Sequence, residues 1–146
     1  QEPDLAELVE SYNRSKPFPI NDIKAEAFRP MIKFLYGVNI QPSEWKEYGK
    51  QILDASGKYG FATLKSEAEA RYLKNLTLTV ENVIDELLYA DGHDCSLIKR
   101  ASMDFIVEHG EAVMEADSYD RLDESPQLRR EVMKAAFSSR KRKREE

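Results

Sequence analysis

The chain has 146 residues, 41% of them hydrophobic and 34% charged, and a formal net charge of −5, a balance that disfavours nonspecific binding of nucleic acid over its whole surface. One domain's length buries a core without staples, and a single cysteine, Cys95, excludes an intrachain disulfide and points to a reducing compartment. No apolar run approaches the ~18–20 residues of a membrane span and the first residues, Gln1-Glu2-Pro3-Asp4, are acidic instead of signal-like, so the expectation is a soluble protein in the nucleus or cytoplasm.

In chain order, the first element is a short strand over Phe18 to Ile20, bounded by Pro17 and Asn21-Asp22; Pro17 and Pro19 suit an edge position. From Ile23 to Tyr36 the pattern is helical, with Ile23, Ala27, Phe28, Met31, Ile32 and Leu35 on one side. Pro30 interrupts it. An interior proline costs roughly 3 kcal/mol, which predicts a kink or a regular part beginning near Pro30. Ser43 is the expected cap of a helix whose Trp45, Tyr48, Ile52 and Leu53 share a face. The stretch Gly57-Lys58-Tyr59-Gly60-Phe61 reads as a tight connection whose aromatics plug the core. Thr63 then opens a helix with Leu64, Ala68 and Tyr72 inward and the Glu67/Arg71 pair outward.

Thr79 is a good N-cap for a helix to Asp91: Val80, Val83, Ile84, Leu87 and Leu88 follow the helical period and Gly92 ends it. A second helix after Asp94 carries Leu97, Ile98, Ala101, Phe105 and Ile106 on one stripe, with Gly110 as its stop, so the two form a hairpin. Ser125-Pro126 signals a third helix, with Leu128, Val132 and Ala135 or Ala136 packed on that hairpin.

Chemistry-bearing patterns are sparse. Gly49 and Gly57-Lys58 have the wrong spacing for a phosphate loop, and Tyr59 stands where a Ser or Thr would hold magnesium. Asp91-Gly92-His93-Asp94-Cys95 groups metal-type side chains without a second half-site, which favours a polar interhelix turn. Cys95 and His109 have no third catalytic partner by pattern, Ser56 sits in no nucleophile elbow, and Asn13-Arg14-Ser15 and Asn75-Leu76-Thr77 read as ordinary surface despite matching the glycosylation sequon. No catalytic residue, cofactor or metal is expected, and the chain reads as an interaction module, not an enzyme.

The run Ile20-Asn21-Asp22-Ile23, Glu26-Ala27-Phe28 and Met31-Ile32-Lys33-Phe34-Leu35-Tyr36 resembles the BTB/POZ family, in which a short strand leads into a helix ending in a Phe-hydrophobic-Tyr signature. The resemblance continues through Ile52-Leu53-Asp54-Ala55, Lys58-Tyr59-Gly60, Leu64-Lys65 and Ala68-Glu69. It then takes in Thr79-Val80-Glu81-Asn82-Val83, Leu87-Leu88-Tyr89-Ala90-Asp91, Leu97-Ile98-Lys99 and Asp104-Phe105-Ile106, which look like the helix pair that follows the BTB core in speckle-type POZ adaptors. The dimerising helix and most of the family's sheet have no counterpart here. Gly37-Val38 replaces the usual Thr-Gly, and Ala68 stands where a cysteine is common.

The fold this implies is mainly α: a truncated BTB/POZ domain over 1–75 retaining one short edge strand, a post-BTB extension of helical hairpin and C-terminal helix over 76–137, and a basic tail over 138–146. The resemblance implies a substrate adaptor of a cullin-3 E3 ubiquitin ligase, with an unidentified substrate protein as second partner; its alternative is a BTB scaffold for self-association or corepressor capture in transcription. Leu8-Val9-Glu10 resembles the hydrophobic-x-Glu element of cullin-binding members, with Leu8 filling an apolar pocket and Glu10 supporting the loop, although such a pair also serves as a plain helix end. By the same resemblance, Tyr36 matches the family's cullin-contacting aromatic position. The family's homodimer is not expected from this chain.

Residues 140–146 carry five basic and two acidic side chains, leaving 17 basic and 25 acidic residues and a net charge of −8 elsewhere. Arg140-Lys141-Arg142-Lys143-Arg144 reads as a nuclear-import signal or a solvated terminus; without interleaved aromatics, nucleic-acid recognition is the weakest of its readings.

Overall fold

The computed structural model describes residues 25–145, with side chains described from Glu26 to Arg140 and at Arg144. The strand expected over Phe18 to Ile20 lies outside the described residues. Among those described, the regular elements are all helical, in agreement with a mainly α chain. They divide into two compact units, Gln1–Lys74 and Asn75–Glu146.

In the first unit, α1 (Ala25–Leu35) packs against α2 (Pro42–Lys58), and α3 (Ala62–Asn75) follows. Ala27, Phe28, Met31 and Ile32 are buried along α1, as their spacing requires. Pro30 is buried too, and helix α1 runs continuously through it from Ala25, so the regular part does not wait for the proline. Leu35, expected inside, is 45% exposed.

Ser43 does not cap α2. The cap is Gln41, whose backbone N–H donates to Glu44 Oε1 at 3.0 Å, while Pro42 takes the first helical position where no N–H is needed. Trp45, Ile52 and Leu53 are buried, and Ser56, also buried, donates its hydroxyl to Leu53 O at 2.9 Å. The turn after α2 depends on Gly60 at φ +76, with Phe61 N–H donating to Ser56 O at 2.8 Å. Tyr59 and Phe61 are half-buried and do not fill the core outright.

The second unit is a helical hairpin, α4 (Val83–Gly92) and α5 (Ser96–Glu108), followed by the short α6 (Gly110–Glu115), a 3-10 helix (Asp117–Glu124) and the long α7 (Pro126–Glu145). The hairpin packs against α7 through α5 and against the 3-10 helix through α4. Its core gathers Val83, Ile84, Leu87, Ile106, Val113, Tyr119, Leu122, Leu128 and Val132. Burying each large aliphatic side chain contributes about 1.5–3 kcal/mol relative to leaving it exposed.

The expected cap, Thr79, stands three residues before the observed N-cap, Asn82: Thr79 N–H donates to Asn82 Oδ1 at 2.8 Å and Asn82 N–H to Thr79 Oγ1 at 3.1 Å, bonds that close the turn ahead of α4. At the hairpin turn the left-handed residue is Asp94 at φ +54, not Gly92, which closes α4 as its last residue. Gly110 is likewise not the stop of α5. His109 caps that helix, and Gly110 opens α6. Leu97 is 45% exposed, and the inward stripe of α5 is Ile98, Ser102 and Ile106. Ser125 and Pro126 start α7 as expected, with Leu128 N–H donating to Ser125 Oγ at 3.4 Å.

Candidate protein-interaction surface

The end of α1 builds the most exposed aromatic position described by its burial among the large apolar residues. Val38 N–H donates to Lys33 O at 2.9 Å and Gly37 N–H to Phe34 O at 3.0 Å, the two bonds of a Schellman cap, and Gly37 takes the left-handed conformation at φ +86 that this cap needs. The carbonyls at the helix end are thereby satisfied, and the chain turns sharply away at Tyr36. Tyr36 is 62% exposed, with Leu35 and the 36% exposed Val38 beside it in sequence. A tyrosine held on a fixed turn offers a large apolar ring with a polar tip at small entropic cost.

Of the residues singled out in the sequence, Tyr36 is thus placed at the surface. Leu8 and Glu10 lie outside the described residues. Arg140 and Arg144 are exposed on α7, and Lys141, Arg142 and Lys143 continue the same helix. Leu35 and Val38 were not legible as surface residues: Leu35 follows the apolar period of α1, and the signal that turns it outward is the glycine two positions later.

The remaining candidates have structural work. Gly49 and Gly57 both lie inside α2, which removes any glycine loop from that stretch. In the hairpin turn, His93 stacks on Tyr89 with ring centroids 4.3 Å apart and its Nδ1 lies 2.9 Å from Tyr89 O, while Cys95 is buried with its thiol 3.7 Å from His93 O. Among the described residues no three His, Cys, Asp or Glu side chains converge as metal ligands. His109 packs on Phe105 at 4.4 Å between centroids.

Ion pairs lace the second unit. Lys99 on α5 reaches Asp91 on α4 at 2.9 Å and Glu131 on α7 at 3.0 Å, and these two hydrogen bonds hold its ammonium above the usual lysine range against a smaller opposing effect of burial. Arg121 pairs with Asp85, joining the 3-10 helix to α4, and Arg129 pairs with Asp123 with its guanidinium 5.5 Å from the Tyr119 ring centroid.

An exposed aromatic side chain beside a hydrogen-bonded turn is a candidate contact for another protein. Similarity to known proteins agrees with it. The chain is similar to TD and POZ domain-containing protein 1-like and TD and POZ domain-containing protein 1, both of Mus musculus, each 27% identical over 124 residues, which is 84% of this chain and 33% of the relative. It is 28% identical over 109 residues to TD and POZ domain-containing protein 5 of Mus musculus, 75% of this chain and 32% of the relative. The chain therefore spans about a third of the length of the curated relatives it matches. No family model matches it. These similarities support a POZ-related protein-interaction module.

Proposed function

We propose that the chain is the docking part of a substrate adaptor for a cullin-3 ubiquitin ligase, a role with no bond-making chemistry of its own. The observation that supports this most directly is the outward presentation of Tyr36 at the Schellman cap of α1. Such an adaptor works by raising the effective concentration of a substrate protein near the ubiquitin-loaded enzyme. Tyr36 serves as the aromatic anchor, Leu8 and Glu10 add an apolar and an acidic contact, and the basic segment Arg140 to Arg144 directs the protein to the nucleus.

The test is equilibrium binding of the chain to purified cullin-3. Tyr36→Ala is expected to weaken binding at least about tenfold, about 1.4 kcal/mol, with thermal stability unchanged because the ring is largely in water. Leu8→Ala and Glu10→Ala should each weaken it further. Binding indifferent to all three changes overturns the contact assignment. Absence of cullin-3 binding together with capture of a corepressor peptide replaces this reading with the transcriptional scaffold.

A further inference from the structure

Of the six prolines in the sequence, Pro126 alone follows a hydroxyl-bearing residue, Ser125. The pair stands at the joint between the 3-10 helix and α7, with Ser125 just past the end of the one and Pro126 opening the other. Ser125 is half-buried, and Asp123, Glu124, Pro126 and Gln127 around it are exposed, so the joint lies at the surface of its unit.

The backbone of Ser125 is extended, at φ −137 and ψ 87, because the ring of a following proline disfavours the helical region for the residue before it. A protein kinase takes its substrate as an extended chain across the catalytic cleft, and Ser125 already has that conformation between two helices. Few bonds hold it in place. Ser125 N–H donates to Leu122 O at 3.0 Å, Arg129 N–H donates to Ser125 O at 3.1 Å, and the hydroxyl oxygen accepts from Leu128 N–H at a long 3.4 Å. Pro126 has no N–H to give up, so a kinase that seats the proline ring beside the acceptor serine breaks no bond there.

We propose that Ser125 is a phosphorylation site for a protein kinase that requires proline directly after the acceptor, and that the phosphate then caps α7. The transfer forms a bond from Ser125 Oγ to the γ-phosphorus of ATP and breaks the bond from that phosphorus to its bridging oxygen. ADP leaves, and the hydroxyl proton passes to the kinase's catalytic carboxylate. The serine and proline choose the modification; the helix decides its effect. The product carries about −1.5 to −2 charge at the first turn of α7, where the N–H groups of Gln127 and Leu128 have no carbonyl of their own helix to meet. Asp123 and Glu124 oppose it from the 3-10 side, and Asp123 now holds Arg129, one turn into α7. The more highly charged phosphate draws Arg129 from Asp123, which leaves that carboxylate to water.

Incubation of the intact, folded chain with ATP and a purified proline-directed kinase tests this, with the site read by fragment mass spectrometry. One phosphate per chain is expected, on Ser125. Ser125→Ala should take up none, and Pro126→Ala, which keeps the hydroxyl and suits a helix start, should slow uptake at least about tenfold. The phosphorylated chain should unfold at a higher temperature by circular dichroism, and Arg129→Ala should shrink that gain. No uptake by the folded chain, while a peptide spanning Tyr119 to Glu131 is phosphorylated, overturns the site, as does uptake untouched by either substitution. A lowered midpoint on phosphorylation, with Ser125 modified, overturns the capping role.

Discussion

Replacing Gly37 by alanine tests the local argument on which the Tyr36 surface rests, and replacing Gly49 by alanine supplies its mirror. At Gly37 a new Cβ meets nothing within 4 Å, so any penalty comes from the backbone at φ +86 and not from a clash. Holding an L-residue in that region costs roughly 1–2 kcal/mol, of which roughly 0.4–1 is returned by the stiffer unfolded chain, leaving a loss of about 1 kcal/mol. Gly49 also has open space around its would-be Cβ, but it sits in the interior of α2 with an ordinary helical φ. Alanine there should add about 0.5–1 kcal/mol. The two variants therefore move in opposite directions from the same chemical change and, at ~4–8 °C per kcal/mol for a unit of this size, their midpoints should differ by roughly 6–16 °C. Trp45 is the only tryptophan, is buried at 6% exposure in α2, and reports unfolding of this unit by fluorescence. Gly37→Asn should fall between Gly37→Ala and the parent, since asparagine tolerates the left-handed region better. Stabilisation by both alanines, or equal losses, would refute the Schellman assignment.

Two further outcomes concern the second unit. Ser102 is fully buried and its hydroxyl finds no hydrogen-bond partner among the described residues, so Ser102→Ala is expected to raise stability by about 1 kcal/mol, read from the urea midpoint at unchanged slope. Lys99 is held above the ordinary lysine range by Asp91 and Glu131, so its contribution is present in full below about pH 10.4, the unfolded value, and is lost as the pH rises through the higher folded value. Lys99→Met should remove that alkaline loss and cost on the order of 0.5–1 kcal/mol at neutral pH, because the pairs are partly exposed; an unchanged alkaline limb in chemical denaturation would count against the three-helix tie.

The hairpin and α7 were legible because long apolar periods and strong start signals coincide: Val83, Ile84 and Leu87 are buried as read, and Ser125-Pro126 opens α7 where expected. What escaped were elements too short for a period to show. The 3-10 helix buries only Tyr119 and Leu122, one turn apart, and α6 buries Val113 alone. Gly110 was misread because glycine after an apolar run serves both to stop one helix and to begin the next. Ser102 hides in the stripe of α5 since a hydroxyl reads as surface, and that pushed the inferred stripe round to Leu97, which the structure exposes. At the candidate surface, Tyr36 was singled out by the resemblance and not by any pattern of exposure, and Gly37 stood only as a departure from it; the exposure of Leu35 depends on where α1 ends, which periodicity does not mark.

Helix α7 is unbroken over 20 residues, about 30 Å, and its last turns carry the basic segment as part of that rod. Positive charge borne this way has a bearing as well as a sum. One residue inserted before Arg140 would leave the composition intact and swing everything beyond it by about 100°, a quarter-turn and more relative to the exposed Phe137. A receptor that counts charges would not notice the change; a surface that must meet Phe137 and the cations together would lose its match. The phase of a helix thus separates two kinds of reader for the same residues.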